Sequence, residues 1–137
     1  MNSGTVVVDA SALVAAVTDS ASVGNQARKR LQGRRRVAPF LVDAETGHAL
    51  RGLVLRGTLD TRVAGAARLR AERMVHRRLP HHGPLGDRAW QLRHSLTFYD
   101  ALYLALAESL DCPLITADRR IQRAHPSHEL IQAIPAN

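Results

Sequence analysis

Cysteine is nearly absent. Cys112 stands alone among 137 residues, which excludes an internal disulfide and a cysteine-based zinc cluster. That usage suits a reducing compartment, so a cytoplasmic location is expected. Lysine is as scarce. Lys29 is the only one and falls in an early helical stretch. A phosphatase or phospho-receiver on a doubly wound sheet needs a lysine near a later strand end, so that class fits poorly. No stretch approaches the roughly 20 apolar residues of a transmembrane helix, and no membrane partner is expected. The N-terminal apolar run lacks a basic flank and is broken by Asp9, which argues against a secretory leader. Internal repeats, low-complexity tracts and interdomain linkers are lacking as well, so a single domain over residues 1–137 is expected.

Arginine is what the chain has instead. It supplies nearly all of the positive charge behind a formal net charge of +7 and an isoelectric point near 11.1. Such a balance favours polyanionic partners, nucleic acid first and an acidic protein second. Hydrophobic content of 45% with 23% charged residues is that of a globular protein, not a disordered one.

Strand and helix signals alternate along the chain. TVVV reads as a short buried strand turning into the helix ASALVAAV. SVGNQARKRLQ reads as an amphipathic helix ended by Gly33, and RRRVAP as a strand stopped at Pro39. FLVDAETGHALRGLVLRG is helical with Gly57 as its stop. LDTRVAGAARLRAERMV is a basic helix capped by Asp60 or Thr61. VHRRLP reads as a short strand and HHGPLG as a loop. TFYDALYLALAESL is apolar nearly all round until Glu108, the mark of a buried helix. CPLIT is a buried strand, ADRRIQRA a turn with a short helix, and HELIQAI a last strand. Strands spaced by helices imply βαβ crossovers and a mostly parallel sheet covered on both faces.

The aspartates fall at telling places. In open parallel sheets, ligands bind beyond the carboxyl ends of the strands. Asp9 follows the first strand, Asp118 follows PLITA, and Asp100 starts the most buried helix. Each is also well placed to cap a helix N-terminus. For Asp9, set between two core-bound apolar runs, two readings stand: a cap, or a carboxylate facing a positive partner. LVDAETGHAL offers Asp43 and Glu45, which a helix turns roughly 200° apart, so at most one lines a shared site. Glu45 has Leu41 and Ala49 at i−4 and i+4, whereas Asp43 has Pro39 and Gly47, so Glu45 leans toward the apolar face.

Several carboxylates at one sheet edge repel one another, and a divalent cation resolves the conflict. All-oxygen ligation completed by water favours Mg²⁺ or Mn²⁺. Such ions activate water and stabilise charge on a phosphodiester during in-line displacement. Acidic ligands within a basic chain then form a metal centre inside a polyanion-binding surface.

VVVDASALV, VDAETGHAL, LRHSLTFYDALYLALAE and PLITADRRI occur in the order and spacing of the PIN domain. The resemblance covers essentially the whole chain and is closest to the VapC-type toxins of bacterial toxin–antitoxin pairs. It implies a three-layer α/β/α fold with a mostly parallel central sheet. It also implies a Mg²⁺- or Mn²⁺-dependent endoribonuclease cutting structured RNA such as tRNA or rRNA, a homodimer, and inhibition by a cognate VapB-like antitoxin. The resemblance assigns the four acids in order to Asp9, Glu45, Asp100 and Asp118, with metal ligation by Asp9 and Asp100 foremost. Ser11 and Thr116 occupy the small hydroxyl positions beside the first and last acids, where turn or cap hydrogen bonding is their other role. The alternative is a catalytically silent RNA- or protein-binding module on the same fold, its carboxylates serving only as caps.

Among the basic residues, Arg119 and Arg120 adjoin the expected centre and are candidates for phosphate contact. Arg34, Arg35 and Arg36 read as a solvated face. Arg68, Arg70, Arg73, Arg77 and Arg78 form an arm suited to tracking an RNA backbone. His76, His81, His82 and His94 lack the spacing of zinc ligands and read as loop residues. Trp90 is expected in the core. The apolar positions of the 41–55 and 61–75 helices are candidates for an antitoxin groove, with most of them expected in the core.

Overall fold

The computed structural model describes residues 4–135. Five strands, β1 (Thr5–Val8), β2 (Arg35–Pro39), β3 (Arg77–Leu79), β4 (Leu114–Thr116) and β5 (Ile131–Ala133), form one sheet in the order β3-β2-β1-β4-β5. Every pairing is parallel; Val7 stands opposite Val37 on one side and Leu114 on the other. Helices α1 (Ala10–Thr18), α2 (Ser22–Leu31), α3 (Leu41–Leu55) and α4 (Thr61–Met74) make the crossovers from β1 out to β3. Helices α5 (Pro84–Gln91) and α6 (Phe98–Leu110) carry the chain back to β4, and α7 (Arg119–Ala124) leads to β5. Right-handed crossovers running outward and then back place the two helix groups on opposite faces. The result is the α/β/α fold expected of the sequence.

Burial on both faces explains why the strands read as apolar runs. Val6, Val7, Val8, Leu114 and Ile115 are all buried, and α6 is buried from Ala101 to Ala107. The helix starts are fixed by side chains: Asp9, Asp60, Thr97 and Asp118 each accept a backbone N–H from the first turn that follows. Helix α2 can approach the end of α1 only because residue 24 is glycine. A Cβ there would stand 1.8 Å from the Asp19 carbonyl oxygen.

Four expectations need correction. The HHGPLG stretch is not all loop, since α5 starts inside it at Pro84, a residue favoured in a helix's first turn. Trp90 is not core: it is 60% exposed, because Ala89 is the residue α5 buries, and Arg93 lies over its ring at 4.8 Å. The basic arm is partly tied down. Arg78 grips the Asp43 carboxylate, Arg68 pairs with Glu72, and Arg70 donates to the Val17 carbonyl. Arg36 likewise spends its guanidinium on the Met74 and Leu31 carbonyls instead of lying on a solvated face.

Candidate active site

The chain leaves β1 toward β2 and β3, then returns to β4 on the other side of β1. The sheet's switch point therefore lies between β1 and β4, where α/β sheets open a crevice at their carboxyl ends. Asp9 follows β1 and Asp118 follows β4, so both belong to that crevice. Glu45 reaches it from the second turn of α3 and Asp100 from the first turn of α6. All four line one open cavity of about 620 Å³.

Asp9 is 5% exposed and fully engaged. Its Oδ1 accepts Ser11 Oγ at 2.6 Å and the Ala12 N–H at 2.9 Å; its Oδ2 accepts the Thr116 hydroxyl. Ser11 Oγ in turn accepts the Ala117 N–H and Thr116 Oγ1 the Asp118 N–H, each at 2.9 Å. These two hydroxyls knit the ends of β1 and β4 together through the carboxylate. The cap is thus present at Asp9, and cap and functional carboxylate are not alternatives there. Burial pushes the Asp9 carboxyl up to about 6 against the pull of these hydrogen bonds, and the charge on Asp100 adds to the rise.

Glu45 is half-buried and accepts the Tyr103 hydroxyl at 2.6 Å. Burial raises its carboxyl above the usual range, helped by Asp100. Asp100 is raised in the same way, by burial first and by Asp118 also. Asp118 differs. The Arg120 side chain forks its carboxylate and the Arg120 N–H caps onto it at 2.9 Å, which holds its carboxyl below the ordinary value. Arg120 is the one guanidinium among the described residues lining the cavity. Asp43 turns away to Arg78, as its helical phase requires.

The cavity wall includes residues that local reading passed over: Tyr103, Tyr99, His48 and His81. Tyr103 sits three residues after Asp100, on the same helical face, a spacing that marks it out. His81 carries no such mark. It lies two residues beyond β3, and only the strand order brings it to the crevice. His76 and His81 also fasten backbone, accepting the Arg36 N–H at 2.9 Å and the Leu41 N–H at 2.8 Å.

Among the described residues, no three His, Cys, Asp or Glu groups stand close enough to form a ready-made metal cage. The donor set is nonetheless all oxygen, and three of its four carboxyls are raised by burial with a neighbouring negative charge contributing. This fits a hard, well-hydrated cation, which keeps several waters and needs only one or two direct carboxylates.

The PIN domain family matches residues 6–125. Ribonuclease VapC1 of Mycobacterium tuberculosis is 44% identical over 118 residues, spanning 86% of this chain and 89% of that protein. Ribonuclease VapC9 of the same species is 38% identical over 130 residues, spanning 95% and 98%. The crystal structure of PAE2754 from Pyrobaculum aerophilum superposes with a TM-score of 0.71 at 24% identity, covering 95% of this chain and 90% of that one, and shares the fold. The chain belongs to the PIN-domain family, on its VapC-type ribonuclease branch.

Proposed function

We propose that this chain is a toxin of a toxin–antitoxin pair, a Mg²⁺- or Mn²⁺-dependent endoribonuclease that cuts structured RNA such as tRNA or rRNA. The observation that carries the proposal is the convergence of Asp9, Glu45, Asp100 and Asp118 on one cavity at the switch point of the sheet. Membership of a branch whose curated relatives are named ribonucleases supports the same activity. A cognate VapB-like antitoxin and a homodimeric toxin belong to the proposal.

Asp9 and Asp100 are the residues to hold the cation, with Glu45 and Asp118 joining directly or through water. When bound, the ion supplies water activation and stabilises charge on the phosphodiester. The chain's own residues prepare the place. Ser11, Thr116 and the Ala12 N–H hold Asp9 in one orientation, and Tyr103 does the same for Glu45. Arg120, exposed beyond its grip on Asp118, is set to meet a phosphate oxygen. Arg119, also exposed, is the second candidate for that contact.

The deciding experiment incubates the purified chain with folded tRNA and rRNA fragments, in EDTA and in Mn²⁺, and maps the new RNA ends. Discrete cuts in Mn²⁺ alone, lost in Asp100→Asn, are expected. RNA bound but never cut would return the chain to the class of silent binding modules. Cutting undiminished in EDTA would remove the metal from the proposal.

A further inference from the structure

Of the phenylalanine, tyrosine and tryptophan rings, all but Tyr103 are exposed: Phe40 54%, Trp90 60%, Phe98 39% and Tyr99 60%. Single exposed apolar side chains are ordinary, but these are not scattered evenly. Trp90 pairs with Arg93 and is not part of the cavity wall. Tyr99 instead forms part of the wall of the acidic cavity, and Phe40 packs edge-on against His81, which is half-buried in the same wall.

The strand order shows why this matters. Phe40 directly follows β2, His81 comes two residues after β3, Asp9 follows β1 and Asp118 comes two residues after β4. Along the carboxyl edge of the sheet the chain therefore presents ring, ring, acid, acid. Adjacent strands are about 4.8 Å apart, so the rings follow strand ends roughly 5 to 10 Å from that of Asp9. That is the scale of a nucleotide next to a phosphate held at the acids.

Two of the rings are held in place. His81 accepts the Leu41 N–H at 2.8 Å, and Phe40 meets it edge-on, with centroids 6.4 Å apart and planes at 77°. The loop carrying His81 presses on α5 so closely that a Cβ at Gly86 would stand 2.4 Å from the His81 carbonyl oxygen. The Tyr99 hydroxyl, next to Asp100, has no hydrogen-bond partner among the described residues. Its backbone lies in the Thr97-capped first turn of α6.

We infer that Phe40, His81 and Tyr99 form a base-stacking subsite beside the four acids, which holds an unpaired nucleotide next to the cut. Aromatic faces stack on bases splayed out of a helix, whereas paired bases offer them nothing. The chain's charge of +7 and Arg120 in the same cavity favour a phosphate-bearing occupant over an apolar peptide. The inference rests on the ribonuclease proposal and adds to it the residues that hold the base beside the cut.

The test is binding of a fluorescein-labelled RNA hairpin with an unpaired loop, against a blunt duplex of the same stem, in EDTA so that nothing is cut. Phe40→Leu and Tyr99→Leu change exposed rings, and Tyr99→Phe keeps a stacking face. Each leucine variant should bind the hairpin on the order of 10-fold more weakly, with duplex binding unchanged and Tyr99→Phe close to the parent. With Mn²⁺ present, the leucine variants should show the loss in KM, not kcat. Equal binding of hairpin and duplex by the parent, or hairpin binding by the leucine variants at parental strength, overturns the inference. Variants that keep RNA affinity but lose the antitoxin assign the rim to a protein partner and overturn it too. A parent that shows the stacking pattern yet never cuts in Mn²⁺ refutes the ribonuclease proposal alone.

Discussion

The Tyr103 hydroxyl on α6 stands 2.6 Å from the Glu45 carboxylate on α3, joining two helices that the sheet would otherwise hold apart. Tyr103 is 1% exposed, so its hydroxyl has given up water for this one acceptor, and burial with the nearby carboxylate raises its own ionisation far above the ordinary value. The same bond favours the charged form of Glu45 against burial.

Tyr103→Phe removes the donor and little volume. Hydrogen bonds to charged groups contribute about 1.5–3 kcal/mol, so a stability loss within that range is expected. Without the donor the Glu45 carboxyl rises further, because one of the two influences that lower it is gone. If Glu45 acts ionised, the acid limb of the cleavage profile moves to higher pH. A profile that keeps its position while overall stability falls would make Tyr103 a packing residue only.

Asp9 gives the metal-free protein a pH dependence of definite sign. Its folded value near 6 lies above the ordinary 3.8, so the native state binds a proton that the unfolded chain has released. The stabilisation is fully present below the unfolded value and is lost as pH rises through the folded one. The full span is about 3 kcal/mol, of which about 1 kcal/mol falls between roughly pH 5 and 7.5. Glu45 and Asp100, also raised, act in the same direction, whereas Asp118, held low by Arg120, acts oppositely in a more acidic window. Urea unfolding in EDTA should show the parent weakening over this range and Asp9→Asn weakening less. Parallel profiles would place the Asp9 carboxyl near its unfolded value.

How much of this was open to sequence reading depends on whether the cause is local. The valines of β1 and the apolar run of α6 announce themselves, because a parallel sheet covered on both faces needs apolar residues at every position. Helical phase alone separates Glu45 from Asp43. His81 was hidden, since its place in the cavity follows from β3 lying two strands from β1. Trp90 misled because a large apolar ring suggests core, while α5 is short and buries Ala89. The arginine arm misled because charge counts ignore partners such as Asp43, Glu72 and the Val17 carbonyl.

Arg120→Ala separates the metal from the phosphate. Its guanidinium holds Asp118 and also lowers the carboxyl values of Asp100 and Glu45, so it competes with any cation the acids attract. Because the side chain is largely exposed, solvent screens the effect to a modest size. Calorimetric titration should find Mn²⁺ bound on the order of threefold more tightly by the variant, with RNA bound more weakly and a shallower salt dependence. Metal affinity unchanged or reduced would mean that Arg120 does not compete at the site.

Thr46 offers a test of the core beneath the cavity. It lies on α3 beside Glu45, 3% exposed, and its Oγ1 has no hydrogen-bond partner among the described residues. Next to it is a void of about 10 Å³ lined by Leu13, Asp43, Thr46, Arg68, Ala71 and Glu72. A buried hydroxyl without a partner costs about 1–3 kcal/mol, and valine keeps the shape and β-branching while removing it. Thr46→Val should therefore stabilise the chain by about 1 kcal/mol, a rise of roughly 2–6 °C in Tm for a domain of this size. The void is close to the smallest that holds a water molecule. If a water fills it and bridges Oγ1 to the neighbouring polar groups, valine would break that link and Tm would fall. The direction of the shift decides between an orphaned hydroxyl and a hydrated one.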